Sequence, residues 1–208
     1  MYKPPQQQRS RESLERILEA AEQLIRERGF DAMTIAEVVE RSGSSVGSLY
    51  ARFRNKRGLL QAVQARYVDR VETALAAAMT GASDERLEDC VDRLVGLLCD
   101  YLLNEPELFR AFILEAVFDP RIRSQGEHTS GARRDRVTQA LLVHRDHITH
   151  PDPDLAARWF YTLCMAVLRE RITFGPKAEL SGAFDDTTMR AELSRTARAY
   201  LAGGTAGA

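Results

Sequence analysis

The sequence predicts an all-α protein, and three observations carry that expectation. Ala, Leu, Arg and Glu dominate, while alternating β-branched runs are almost absent. Apolar residues recur at spacings of three and four in successive stretches between Leu14 and Leu201. Gly and Pro gather where those stretches end, and no internal repeat divides the chain. At 208 residues the chain is long enough for one large helical domain, or for a small head plus a larger body, and can bury a sizeable core.

The first helix is marked by Leu14, Ile17, Leu18, Ala21, Leu24 and Ile25, with Gly29 closing it and Phe30 tucking back beneath. The PPQQQRS arm ahead of it is polar and is read as solvated and disordered. Thr34 and Glu37 have the spacing of a capping box, so a second helix starts at Ile35 and buries Ile35, Val38 and Val39. Gly43 ends it, because a sharp turn between helices needs a residue that tolerates positive φ. Ser44 and Ser45 offer N-cap oxygens to a third helix at about Ser45 to Arg52. Val46 or Leu49, then Phe53, face inward there, leaving Ser45, Gly47, Ser48, Tyr50 and Arg52 outside. A short helix, a glycine turn and a second short helix with small, hydrogen-bonding residues outward is the geometry of a helix-turn-helix.

Asn55 caps the next helix, whose first turn holds Lys56 and Arg57. Positive charge there opposes the helix dipole, so it is either plain solvated surface or answers an external phosphate. This helix runs to about Met79 through Leu59, Leu60, Val63, Tyr67, Val71 and Leu75, and Gly81 to Asp84 break the pattern. Leu87, Val91, Leu94, Val95, Leu98, Tyr101 and Leu102 mark another. Pro106 opens a helix that ends at Asp119 and Pro120; its sequence ELFRAFILEAVFD is apolar on nearly all sides and predicts enclosure by neighbours. Residues 121–150, with Gly126, Gly131 and many polar residues, read as a loose helix or loop followed by a clearer helix at about Val137 to His147. Helices at about Asp154 to Phe174 and Asp186 to Leu201, joined through Gly175, Pro176 and Gly182, complete the chain.

The stretch TIAEVVERSGSSVGSLYARFRNKRGLL resembles the DNA-binding domain of the TetR family of bacterial transcriptional regulators. Gly43, Ser45, Gly47, Ser48, Leu49, Tyr50, Phe53, Lys56 and Leu59 fall at that family's spacing, and the resemblance covers about the first sixty residues. It implies a helix-turn-helix head over residues 1–56 and a helical effector-binding and dimerisation body over 57–208. It also implies that Tyr50 and Lys56 touch DNA phosphates, that Ser45 and Ser48 lie near the groove, and that Val46 and Gly47 approach base edges. Thr34 would support a phosphate through the start of its helix. Arg52 stands where the family often has a histidine or another aromatic residue, and so would add a salt-sensitive phosphate contact. Ser44 replaces a commonly buried valine, which implies a looser or wetter corner.

The same resemblance implies a homodimer on a palindromic double-stranded operator and a small-molecule effector in the body. Recognition helices would then lie one DNA turn apart, roughly 34–36 Å. Tyr67, Leu98, Tyr101, Phe112, Glu115, Phe118, Trp159 and Leu163 are the candidate effector-pocket residues. Phe160, Cys164, Val167, Arg171, Met189, Leu193, Ala197 and Tyr200, on the two C-terminal helices, are the candidate dimer residues. Both the aromatic set and Glu115 also have a plainer reading, as core and as one half of a structural ion pair. The competing functional expectation is a helix-turn-helix regulator controlled by a protein partner, its body an interaction scaffold.

The net charge of −1 conceals an asymmetry: residues 1–60 hold 11 Lys and Arg against 8 Asp and Glu, leaving the remainder acidic. A basic head on an acidic body suits local contact with DNA rather than coating of it. No apolar run is long enough to span a membrane and the N-terminus lacks the apolar core of a secretory signal, so a cytoplasmic location is expected. Cys90, Cys99 and Cys164 are widely spaced within apolar patterns and read as buried thiols. His144, His147 and His150 have the spacing of a metal face, but no second Cys or His set completes it. They read as solvated histidines near a helix C-terminus, and neither metal nor cofactor is assigned. No nucleophile with a paired base and no phosphate-binding glycine loop appears, which argues against an enzyme.

Overall fold

The computed structural model describes residues 6–79, 85–175 and 183–203. Among these residues every regular element is helical: α1 (Gln6–Ala32), α2 (Ile35–Ser42), α3 (Val46–Tyr50), α4 (Lys56–Met79), α5 (Leu87–Leu103), α6 (Pro106–Glu115), α7 (Pro120–Leu142), a 3-10 turn (Arg145–His147), α8 (Pro153–Phe174) and α9 (Asp186–Ala202). The expected break over Gly81 to Asp84 and the connector residues Pro176 and Gly182 lie outside the described residues. The chain divides into two compact units, one of residues 1–69 with 105–126, the other of residues 70–104 with 127–208.

In the first unit α1 packs against α2 and α6, and α2 against α3. The helical stripe read from α1 supplies Ile17, Leu18, Ala21, Leu24 and Ile25 to a core completed by Val38, Leu49, Leu59, Leu60, Val63 and Leu108. Gly29 takes φ 78° and ψ 165°, so true helical geometry ends there, as expected, and Phe30 is buried just beyond. The helix reaches back to Gln6, so the last residues of the supposedly disordered arm are helical. Buried Glu22 is bridged by Arg26 at 2.9 Å and Arg66 at 3.2 Å, which gives an otherwise costly buried carboxylate its counter-charges.

In the second unit α5, α8 and α9 pack on one another. Their core is Leu94, Leu98 and Leu102 from α5, Phe160, Cys164 and Leu168 from α8, and Met189, Leu193, Ala197 and Leu201 from α9. Asp152 caps α8 by accepting the Leu155 N–H at 2.9 Å, with Pro153 preset in the first turn. Asp185 caps α9 through the Thr188 N–H at 2.7 Å. The Thr149 N–H donates to Leu201 O at 2.9 Å and ties the segment after the 3-10 turn to the end of α9.

Two expectations are corrected here. Of the two readings left open for the stretch after Pro120, the helix stands and the loop falls: residues 120–142 form one continuous helix, which ends at Leu142 rather than His147. Its buried positions Ile122, Thr129, Arg133, Val137 and Leu141 keep helical spacing, but Thr129 and Arg133 occupy places where a hydrophobic pattern looks for apolar residues. Second, the segment after Pro106 is not enclosed on all sides. The helix stops at Glu115, and Leu114, Val117 and Phe118 are exposed.

Candidate nucleic-acid interface

The interface is assembled by local rules. Thr34 caps α2 reciprocally: its Oγ1 accepts the Glu37 N–H at 3.3 Å while Glu37 Oε2 accepts the Thr34 N–H at 2.9 Å. The Thr34 side chain and backbone, followed by Arg28, hold the Glu37 carboxyl below the usual carboxylate range. Gly43 at φ 61° donates its N–H to Glu40 O and Val39 O and turns the chain out of α2. Ser45, not Ser44, is the N-cap of α3 and accepts the Ser48 N–H at 3.1 Å. Ser44 lies on Ser42 instead, with their hydroxyls 2.7 Å apart; that is the polar corner implied by the missing valine.

Between the two inward candidates on α3 the structure selects Leu49, which is fully buried, with Phe53 buried after it. Val46 is then turned out, 53% exposed, and Tyr50 is 52% exposed. Thr34, Ser45 and Gly47 are also exposed, and Ser48, Arg52 and Lys56 are half-buried. A Cβ built on Gly47 meets nothing within 4 Å, so this face of α3 is open. A five-residue helix with an exposed valine and tyrosine leaves apolar and hydrogen-bonding surface with no internal partner, as a probe awaiting a groove would.

The cations also make contacts within the chain. Arg52 Nη1 donates to Ser48 O at 3.0 Å and Ser48 Oγ at 2.7 Å, while Nη2 donates to Ser10 Oγ at 2.9 Å and Ser10 O at 3.2 Å. Lys56 Nζ donates to Asp31 O at 3.1 Å and sits 4.4 Å from the centre of the Phe30 ring, and burial pushes its ammonium below the ordinary lysine value. Arg57 Nε donates to Glu115 Oε2 at 2.5 Å and the guanidinium lies over Phe118 at 5.5 Å. The positive first turn of α4 thus has intramolecular reasons that the sequence did not reveal. Asn55 does cap that helix, accepting the Gly58 N–H at 2.8 Å. The contacts of these cations with Ser10, Asp31 and Phe30 span tens of residues and leave no local pattern in the sequence.

The effector candidates fall into both units. In the first, Tyr67 packs edge-on against Phe109 with centroids 5.2 Å apart and also against Phe112. Glu115 is buried and paired with Arg57, which is the structural-pair reading, whereas Phe118 is exposed. In the second, Leu98 is buried, Leu163 half-buried and Trp159 50% exposed. Tyr101 is buried against Arg133, whose Nη2 is shared with Tyr101 OH at 2.5 Å and with Glu72 Oε1. Burial pushes the Tyr101 phenol up to about 12.

Of the dimer candidates, Phe160, Cys164, Met189, Leu193 and Ala197 are buried within the chain itself, Val167, Arg171 and Tyr200 are half-buried, and Arg171 pairs with Asp186 at 3.1 Å. The open stripe of α8 is Leu155, Trp159, Thr162 and Ala166. The histidines do not converge: His147 is exposed, His150 packs on Tyr200 with ring centroids 5.1 Å apart, and His144 is buried rather than solvated. Cys90, Cys99 and Cys164 are buried and free, as expected. No described helix is long and apolar enough to cross a membrane.

Residues 17–63, which contain α2, α3 and their supports, match the family described as bacterial regulatory proteins, tetR family. The HTH-type transcriptional repressor ComR of Escherichia coli is 43% identical over 53 residues, 26% of this chain and 25% of that protein. The HTH-type transcriptional activator FasR of Mycolicibacterium smegmatis is 28% identical over 131 residues, 62% of this chain and 58% of the other. The chain therefore spans between a quarter and three fifths of these curated relatives. A solved structure described as a transcriptional regulator from Saccharomonospora viridis in complex with choline superposes with a TM-score of 0.75 at 19% identity, covering 91% of this chain and 97% of that one. At that identity the likeness speaks for the fold.

Proposed function

The chain belongs, through its head, to the TetR family of bacterial regulatory proteins, and on that premise we propose that it is a sequence-specific transcriptional repressor that leaves its operator when a small molecule binds the body. The carrying observation is the outward face of α3: Leu49 and Phe53 anchor the helix, while Val46, Gly47 and Tyr50 stand open. Ser45, Ser48 and Thr34 flank them, and Lys56 is held nearby in sequence at the start of α4. Residues 1–56 act as the DNA-binding head and residues 57–208 as the effector and dimerisation body.

Val46 and Gly47 offer bases no side-chain hydrogen bonds, so discrimination rests on Ser48, on apolar contact with thymine methyls and on DNA shape. Arg52 contributes by holding Ser48 and the start of α1. A two-fold dimer through the C-terminal helices, with the open α8 stripe at Trp159 in the interface, sets the operator's palindrome. The effector reading draws support from the choline-bound relative and from the Tyr101, Arg133 and Glu72 polar cluster within the body. Each tenfold loss of operator affinity needs about 1.4 kcal/mol of coupling, and DNA weakens effector binding by the same factor.

Selection of the purified protein on a randomised duplex pool at several salt concentrations tests this reading, with Tyr50→Phe and Lys56→Ala as comparisons. A palindrome enriched by the wild type and weakened in both variants is the expected result. Salt-sensitive binding by the wild type with no enriched sequence would sink it.

A further inference from the structure

We propose that Glu85, Cys90 and His144 form a binding site for one divalent transition-metal ion of the zinc class, separate from the DNA-binding reading. One ligand atom from each of the three lies within 4.8 Å of the others. All three belong to the second unit: Glu85 just precedes α5, Cys90 is in its first turn, and His144 follows the end of α7. Cys90 is 1% exposed and His144 6%, with Glu85 half-buried. A thiolate, an imidazole and a carboxylate together are the donors that borderline-soft divalent ions select.

A second observation points the same way. His144 Nε2 is buried and has no hydrogen-bond partner, a condition that folded proteins rarely leave in place. Coordination by the imidazole would answer it. The position of positive charge is meanwhile taken by Arg93, which donates from Nε to Glu85 at 3.1 and 3.2 Å, pairs Nη2 with the same carboxylate, and brings Nη2 to 3.6 Å from Cys90 Sγ. Arg93 Nη1 is itself buried without a partner. A divalent ion would replace this guanidinium as the counter-charge of Glu85.

Binding forms metal–sulfur, metal–nitrogen and metal–oxygen bonds, and the Cys90 thiol loses its proton to solvent; nothing is oxidised. Ligands about 2.0–2.3 Å from one ion stand about 3.5 Å apart, so side-chain rotation must close the set slightly. Three protein ligands leave one tetrahedral position for water or an exogenous donor. The ion would pin the start of α5 to the segment after α7.

Full-length reduced protein, stripped with a chelator and titrated with Co2+, tests the site. The expected result is a thiolate-to-cobalt charge-transfer band that saturates at one equivalent, is bleached by Zn2+, and is lost in Cys90→Ser but kept in Cys99→Ser. His144→Gln and Glu85→Gln should each weaken Co2+ binding about tenfold or more. Zn2+ should raise the thermal midpoint of the wild type and leave that of Cys90→Ser unchanged. Absence of the band from folded wild type, or its persistence in Cys90→Ser, overturns the proposal. If Cys90→Ser does not fold, unchanged affinity in both of the other variants overturns it as well.

Discussion

Arg52 and Ser10 are joined across 42 positions of sequence: Nη2 of the arginine donates to the serine hydroxyl at 2.9 Å and to its carbonyl at 3.2 Å. The other terminal nitrogen holds Ser48, so one guanidinium links α1 to the outward face of α3. A phosphate contact would make log affinity less salt-dependent by about one unit of slope when the residue is removed. Because its terminal nitrogens are already engaged, Arg52→Ala should leave the slope unchanged and lower stability by about 1 kcal/mol, the scale of a few partly exposed hydrogen bonds. Denaturant titration and DNA binding across a salt series check both; a slope reduced by one would assign Arg52 to the backbone instead.

Gly43 in the turn and Gly47 inside α3 separate folding from recognition. Gly43 holds φ 61°, so Gly43→Ala should cost about 1 kcal/mol through backbone strain alone. Gly47 lies within α3 with open space at its Cβ, so Gly47→Ala should stabilise slightly, by about 0.5–1 kcal/mol, yet weaken operator binding because the methyl projects to the groove. Parallel melts and binding curves distinguish them; unaltered affinity in the second variant would remove Gly47 from the interface.

Glu115 is the buried partner of exposed Arg57 and joins α6 to the start of α4. Glu115→Gln should shift the urea midpoint downward by the equivalent of about 1–2 kcal/mol with an unchanged m-value; the outer arginine, being solvated, discounts the larger cost of a fully buried pair. No loss on substitution would show that the pair is surface decoration.

Burial pushes the Cys99 thiol up to about 11 and the Cys164 thiol up to about 12. A raised folded value means that stability is fully present below the unfolded thiol value, about 8.5, and is lost as pH rises toward the folded values. Stability should therefore decline above about pH 9, and the decline should be shallower in Cys99→Ala. Alkylation of native protein at neutral pH should be slow at both sites until denaturant is added. Rapid native labelling of Cys164 would contradict its burial.

Trp159 lies on the open stripe of α8, whereas Phe160 beside it is buried in the chain. Trp159→Asp should convert the proposed dimer to monomer in sedimentation experiments and leave the helical signal intact. An unchanged dimer would move the interface elsewhere.

The sequence by itself determined the head. Capping boxes, glycine turns and three-four spacing act within a single helical turn, so the roles of Thr34 with Glu37, Gly43, Ser45 and Asn55 are legible in the sequence. It also determined the helical class and the buried thiols. Only tertiary structure decided what distant residues share: that Leu49 rather than Val46 turns inward, that Arg52 reaches Ser10, that Arg57 meets Glu115, and that Glu72 and Tyr101 make buried Arg133 tolerable in the middle of α7. His144 is the sharpest case, since its spacing to His147 and His150 suggested a face that the fold does not form, while its neighbours Glu85 and Cys90 lie more than fifty residues away in sequence. Local hydrogen bonding is written in short spacings. The pairing of charges and ligands across a core depends on where whole helices come to rest, and no single segment carries that information.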